Sequence, residues 1–156
     1  MRSKTFHIAS ESAMLDFAGH CARAINTGTV IYLEGELGAG KTTFARGFLQ
    51  GLGYTGKVKS PTYTLIEPYE IANKDIFHLD LYRLTEPEAF LYLGWNDLFS
   101  SEAIALIEWP EKAATYLPPA DLIITLLWVD EHQRKLTIEA TNHDGTKLIE
   151  ALRLTS

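Results

Sequence analysis

Apolar residues along the chain switch between two spacings, and the switches mark out the elements. Ala13, Met14, Phe17, Cys21 and Ile25 recur near one face of a helix that Ser10 can cap and Asn26-Thr27-Gly28 stops. Thr5–Ile8 ahead of it reads as a short edge strand. Thr29–Leu33 (TVIYL) is an unbroken β-branched apolar run, the pattern of a strand covered on both faces. A glycine-rich turn follows, then a helix from Lys41 to Leu52 that ends at Gly53. Lys57–Pro61 reads as a loop. Tyr63–Ile66 and Asp75–Tyr82 predict two antiparallel strands joined by a turn at Asn73-Lys74. Pro87 suits the first turn of a helix reaching Leu93. Ala103–Ile107 (AIALI) and Leu122–Val129 are two more buried runs, with a short helix and Pro118-Pro119 between them. Arg134–Ala140 alternates with period two, and the stretch from Thr146 predicts a final helix. Strands alternating with helices, interrupted by one hairpin, predict a three-layer α/β/α domain with a mostly parallel sheet and an inserted antiparallel hairpin.

Composition adds bounds. The 156 residues suit a single domain spanning 1–156, long enough to bury a core without staples. One cysteine, Cys21, excludes an internal disulfide and reads as a small buried apolar residue. The net charge is −6 with 14 basic residues. Phosphate backbones are bound chiefly through Lys and Arg, so a stand-alone nucleic-acid binder is disfavoured and RNA would be reached through a partner. Arg2 and Lys4 have no apolar run behind them, which predicts neither signal peptide nor membrane anchor and a cytoplasmic protein.

The chemistry concentrates at Gly35-Glu36-Leu37-Gly38-Ala39-Gly40-Lys41-Thr42, which matches G-x-x-x-x-G-K-[ST] at every fixed position, with a strand before it and a helix after it. Residues without Cβ let successive N–H groups converge on an anion, and the helix that follows adds its positive end. Lys41 is expected to reach the β- and γ-phosphates of a purine nucleotide, ATP first. The Thr42 hydroxyl is expected on Mg²⁺, and the Thr43 hydroxyl on an α-phosphate oxygen. The match makes the fold expectation P-loop NTPase-like.

A P-loop needs an acid near the metal, and two strand ends offer one. Glu108 closes the run Ala103–Ile107. Asp80 sits in His78-Leu79-Asp80-Leu81-Tyr82-Arg83, where alternation puts His78, Asp80 and Tyr82 on one face. Ser60-Pro61-Thr62-Tyr63-Thr64 could act as a γ-phosphate-sensing switch or be a capped turn. Asn73-Lys74-Asp75 is like the guanine-reading N-K-x-D, but Ile76 stands where the acid is required, and a plain β-turn fits better. Trp109-Pro110 could stack on a ligand or simply pack. Arg134 could touch phosphate or base, a solvated charge being the default.

Together G-E-L-G-A-G-K-T-T-F (Gly35–Phe44), K-S-P-T-Y-T (Lys59–Thr64), H-L-D-L-Y-R (His78–Arg83) and I-E-W-P (Ile107–Pro110) resemble the TsaE family (formerly YjeE), the bacterial ATPases of tRNA threonylcarbamoyladenosine biosynthesis. The resemblance spans nearly the whole chain. It implies Mg²⁺-ATP binding with weak intrinsic hydrolysis. It also implies two partners, a threonylcarbamoyl-transferase subunit and its paralogous scaffold subunit. They modify the adenosine next to the anticodon in tRNAs reading codons that begin with A. Lys41 takes the phosphate-lysine role, Thr42 and Glu108 the metal roles, Asp80 the Walker B-like role and Thr62 the switch role. Glu11 lies in the segment expected near the base, and Arg134 resembles a strand-leading arginine near the nucleotide. Departures from the family pattern are Pro87-Glu88-Ala89-Phe90 and Met14 in the first helix. A small-molecule kinase would call for a lid rich in arginine, whereas the six arginines here are scattered. A GTPase-like switch lacks the guanine-reading acid.

Overall fold

A computed structural model describes residues 2–25, 28–61 and 64–152. The elements run β1 (Ser3–Ile8), α1 (Glu11–Ala24), β2 (Val30–Glu34), α2 (Lys41–Gly51), β3 (Ile66–Ile71) and β4 (Lys74–Asp80), then a 3₁₀ segment Pro87–Leu93 and α3 (Trp95–Leu98). They continue with β5 (Ile104–Glu108), a 3₁₀ turn Pro110–Lys112, β6 (Leu122–Trp128), β7 (Arg134–Ala140) and α4 (His143–Ala151). One seven-stranded sheet has the order β1-β7-β6-β2-β5-β4-β3. Its centre, β6-β2-β5-β4, is parallel, and antiparallel strands close both sides.

Alternation along the strands divides the core in two. Ile31, Leu33, Ile76, Ile104, Leu106, Ile124 and Leu126 face α1, α2 and α4. Val30, Phe77, Leu79, Ala105 and Ile107 face a layer built from Leu84, Phe90, Trp95 and Leu117, in short segments instead of long helices. That second layer covers β2, β5 and β4. On the same side of β6, β7 and β1, residues such as Thr125, Leu127, Lys135, Thr137 and Thr5 are half-buried or exposed.

Helix α1 begins where expected, with the Ser10 hydroxyl accepting from the Ala13 N–H at 3.1 Å. Helix α4 starts at His143, earlier than Thr146, because the Asn142 side chain accepts from the Gly145 N–H at 2.7 Å and caps it there. The first hairpin strand is Ile66–Ile71, which shares only Ile66 with the described part of the expected Tyr63–Ile66; Tyr63 lies outside the described residues. Leu65 takes a left-handed φ of 67°, which breaks an extended run before Ile66. Pro68 lies inside β3, and a strand at the end of the sheet tolerates a residue without an N–H. The turn is Ala72-Asn73, both at positive φ, the two-residue form that matches strand twist. Pro87–Leu93 winds as a 3₁₀ helix, with Pro87 in its first turn.

Helices α1 and α2 cross in close contact through glycines. A Cβ placed on Gly51 would stand 2.4 Å from the Gly19 Cα, and one on Gly47 would stand 2.7 Å from the Leu15 carbonyl oxygen. Gly51→Ala must therefore push the helices apart despite alanine's better helix propensity. A loss of about 1–3 kcal/mol is expected, read as a lower urea midpoint with unchanged slope. An unchanged or higher midpoint would mean the crossing yields without cost. Cys21 lies on the buried face of α1, and burial pushes its thiol up to about 12. Because the thiolate is the reactive form, Ellman's reagent at pH 8 is expected to label Cys21 only as the protein unfolds. Labelling at the rate of a free thiol in the native protein would contradict the burial.

Candidate functional site

Strand β2 delivers the chain to the sheet's carboxyl edge at Glu34, and residues 35–40 turn it back into α2. The turn depends on Gly35, Gly38 and Gly40, with φ of 149°, 81° and 107°. A Cβ on Gly35 would come within 2.6 Å of the Leu126 carbonyl oxygen, so the loop lies directly against β6. Gly40 is the N-cap of α2 and brings no side-chain cap, which leaves the first helical amides available to an anion.

Lys41 opens the helix and is 5% exposed. Its ammonium donates to the Gly35 carbonyl and, at 3.0 Å, to the Glu36 carbonyl, and it sits 4.3 Å above the centroid of the Trp109 ring. Burial lowers its pKa, opposed by the neighbouring carboxylates, Glu108 first and then Asp80. Trp109 holds a left-handed backbone (φ 57°, ψ 51°), unusual for a bulky residue, and its ring also packs on Tyr82 with centroids 4.9 Å apart. It therefore both packs and forms a wall beneath the lysine.

Asp80 and Glu108 are register partners at the ends of the adjacent parallel strands β4 and β5. The Thr42 hydroxyl lies 3.2 Å from each Glu108 carboxylate oxygen. Glu108 is 2% exposed, and behind it His78, fully buried, places Nε2 2.6 Å from Oε2. His78 Nδ1 has no hydrogen-bond partner among the described residues, so the tautomer that donates Nε2–H to Glu108 leaves no proton stranded. Burial, and then repulsion from Glu108, raise the Asp80 pKa, partly offset by the hydrogen bond Asp80 accepts from the Tyr82 N–H.

Two cavities meet at the loop. One of about 380 Å³ is lined by Lys41, Thr42, Asp80, Tyr82, Glu108 and Trp109. The other, of about 160 Å³, is lined by Ser10, Glu11, Met14, Glu131, His132 and Arg134. Gly38, Gly40 and Thr43 line both, so a ligand could run from one to the other across the loop. Glu36, Ala39 and Leu37 complete the loop, Ala39 buried and Leu37 exposed. Arg134 is not a free surface charge. It donates to the carbonyls of Gly38, Ala39, Asp130 and Gln133, and so ties the start of β7 to the loop. Glu11 faces the smaller cavity, but its carboxylate accepts from Arg46 at 2.7 Å. Thr62 lies outside the described residues.

The residues of the larger cavity come from three of the four segments whose motifs resemble one family, and comparison with known proteins agrees. The model of the family described as "Threonylcarbamoyl adenosine biosynthesis protein TsaE" matches residues 8–136. The chain belongs to the TsaE family. A relative from Haemophilus influenzae, named tRNA threonylcarbamoyladenosine biosynthesis protein TsaE, is 44% identical over 97% of this chain and 98% of its own length. A Bacillus subtilis protein of the same name is 37% identical over 80% of this chain and 78% of its own. The crystal structure of Bacillus subtilis YdiB superposes with a TM-score of 0.82 at 29% identity, covering 97% of this chain and 94% of that one. The match to the TsaE model runs from the last residue of β1 into β7, taking in both cavities and leaving α4 outside.

The role of His78 is the part of this TsaE site that the sequence reading missed. Alternation put His78 beside Asp80, but only the β4–β5 register shows that its ring reaches Glu108. Met14, a departure from the family pattern, forms part of the smaller cavity, its methyl 3.3 Å from where a Cβ on Gly40 would stand.

Proposed function

We propose that this chain is a Mg²⁺-ATP-binding P-loop ATPase that serves threonylcarbamoyl modification of the adenosine next to the anticodon. In this reading it acts beside a transferase subunit and that subunit's paralogous scaffold, and meets tRNA only through them. Its relatives carry that pathway in their names. The observation that carries the nucleotide part is the convergence of Lys41, Thr42 and Glu108 under a loop of left-handed glycines. Such a site suits a triphosphate. Loop amides and the Lys41 ammonium meet the phosphate oxygens, and a hydroxyl and a carboxylate offer hard oxygen ligands to Mg²⁺, which binds with few protein groups. Mg²⁺ would neutralise charge on the transferring phosphoryl group. Thr42 and Glu108 would hold it, and Asp80, whose carboxyl is raised, would order water beside it. The smaller cavity, with Glu11, Met14 and Arg134, is the place for ribose and base.

The N-K-x-D lookalike argues against a guanine-specific switch. Asn73 lies at the hairpin tip, at the opposite end of β4 from Asp80, about 20 Å away at strand rise. It cannot read a base bound at the loop.

Turnover of ATP by the purified chain, alone and with the two partner proteins, tests the reading. Slow turnover alone and strong stimulation by the pair are expected. Glu108→Gln keeps an acceptor for His78 but loses the charge toward the metal. ATP binding is expected within a few-fold of wild type, and stimulated turnover is expected to fall roughly a hundredfold, as for loss of one electrostatic contact in a transition state. Wild-type turnover in Glu108→Gln would move the metal role to Asp80. ATP binding with no stimulation by the pair would reopen the kinase and switch readings.

A further inference from the structure

Arg134 opens β7 and turns its side chain back onto the phosphate loop. Its Nε–H donates to the Ala39 carbonyl and its Nη2 to the Gly38 carbonyl, each at 3.1 Å. Nη1 donates to the Asp130 and Gln133 carbonyls, in the turn between β6 and β7, at 2.6 and 2.9 Å. The guanidinium carbon lies 5.8 Å from the centroid of the Trp128 ring. A guanidinium carries about five N–H donors in all, and backbone carbonyls take four of them here. Among the described residues no carboxylate forms a salt bridge with Arg134. The Asp130 carboxylate is engaged elsewhere, by the His132 and Gln133 amides and the Gln133 side chain. Arg134 lines the smaller cavity, yet at most one of its donors is left for a ligand there. It is poorly equipped to read a base or clamp a phosphate directly.

Peptide geometry turns these bonds into a constraint on the loop. In a trans peptide the carbonyl and the next residue's N–H point in opposite directions, and no cis peptide occurs among the described residues. With the Gly38 and Ala39 carbonyls drawn toward Arg134, the N–H groups of Ala39 and Gly40 point away from it. The Ala39 N–H closes a turn onto the Glu36 carbonyl at 3.1 Å. The Gly40 N–H has no acceptor among the described residues and is left, with the first amides of α2, for an incoming anion.

Two cations therefore hold the loop, one for each half. Lys41 holds the first half through the Gly35 and Glu36 carbonyls, and Arg134 holds the second through Gly38 and Ala39. They differ in what a phosphate asks of them. Lys41 has to turn toward the phosphate oxygens, which loosens its hold on the carbonyls. Arg134 has no such second task. Nor does packing fix the loop at Gly38, since a Cβ built there would meet nothing within 4 Å. Glycines at φ 81° and 107° flank Ala39, and glycine backbone samples many other conformations when nothing restrains it.

We propose that Arg134 is a positioning residue for the nucleotide phosphates: it grips the Gly38 and Ala39 carbonyls, so that the Gly40 amide is aimed before the nucleotide arrives, and it acts on the phosphates only through that backbone. This rests on the nucleotide reading above and deepens it. A loop released from the brace binds in proportion to the fraction of molecules that still hold the competent form. Ordering the backbone of a single residue at the moment of binding costs about tenfold in affinity.

The test uses full-length Arg134→Lys and Arg134→Met, with Lys135→Met, exposed one position along, as the control for lost charge. Calorimetry reads the affinity for Mg²⁺-ATP, for GTP and for inorganic triphosphate, which has no base. Lysine keeps the charge but cannot span acceptors in the loop and the β6–β7 turn at once. Both Arg134 variants are expected to bind ATP about tenfold more weakly and triphosphate more weakly by the same factor. The ratio of GTP to ATP affinity is expected to stay unchanged, and Lys135→Met to bind as wild type does. Wild-type ATP affinity in both Arg134 variants overturns the brace and leaves the P-loop reading intact; a lowered melting temperature alongside it makes Arg134 a residue of stability alone. Loss in Arg134→Met but not in Arg134→Lys overturns it in favour of a charge contact. Weakened ATP binding with triphosphate unaffected, or a shifted GTP-to-ATP ratio, overturns it in favour of a base contact. An equal loss in Lys135→Met reduces the effect to net charge and overturns it too. Should Arg134→Met fail to fold, Arg134→Lys decides alone: the joint tenfold loss supports the brace and wild-type affinity overturns it. Failure of the wild-type chain to bind either ATP or triphosphate overturns the nucleotide reading, and the proposal with it.

Discussion

Lys41→Ala is expected to abolish measurable tight ATP binding. The ammonium is held inside the loop by the carbonyls of Gly35 and Glu36 and by the Trp109 face, within the field of Glu108 and Asp80. It is thus already desolvated and aimed before a phosphate arrives, and little reorganisation opposes the contact. A charge-assisted hydrogen bond contributes about 1.5–3 kcal/mol, and a lysine between two phosphates makes two. Losing both corresponds to about a hundredfold or more in affinity. Lys41→Arg is expected to fail nearly as badly, because a planar fork does not fit a space bounded by two carbonyls and an indole ring. Alanine also leaves the Gly35 and Glu36 carbonyls without their donor, so the loop itself loosens. Calorimetric affinity for ATP within threefold of wild type in Lys41→Ala would sink the phosphate-loop assignment.

How far the sequence reveals this site depends on whether the information is local. The loop Gly35–Thr42 is legible because its chemistry is written in consecutive residues and its context is one strand and one helix. Arg134–Ala140 is legible for the same reason: period two along seven residues matches β7 at both ends. The edge strand β3 is not, because Pro68 argues against a strand unless the sheet order puts it at the side, and that order is a property of the whole chain. The role of Arg134 is hidden likewise. Its sequence neighbours are polar and suggest solvent, whereas its acceptors Gly38 and Ala39 lie nearly a hundred residues away. The partial second layer is hidden because short 3₁₀ segments carry no clear period. That same shortfall in cover leaves the Leu127–Trp128 edge open. Glu108 shows both sides of the division. Its position at a strand end is local, but its pairing with His78 requires the parallel register of β4 and β5.

His78→Leu is expected to lower the melting temperature by roughly 6–12 °C, since about 3 kcal/mol is at stake and a chain of this length loses about 2–4 °C per kcal/mol. Leucine removes the Nε2–H that meets Glu108 in a buried setting, and the carboxylate then keeps only the Thr42 hydroxyl among the hydrogen-bond partners described for it. A buried carboxylate deprived of its donor carries a desolvation cost that nothing offsets. Glu108 can escape by binding a proton or by turning away, and either response spoils it as a ligand for Mg²⁺. The variant should therefore lose both stability and the Mg²⁺ dependence of ATP binding. His78→Gln retains an N–H of similar reach and should recover part of each. The decisive comparison is the double variant His78→Leu with Glu108→Leu. Removing both members leaves no stranded charge, so its melting temperature should exceed that of His78→Leu, while partner-stimulated turnover stays lost. Recovery of stability without turnover would mean that the imidazole serves the fold by satisfying Glu108 and serves chemistry only through it. If His78→Leu melts like wild type, the 2.6 Å contact contributes nothing to holding the carboxylate, and Glu108 must be oriented by Thr42 alone.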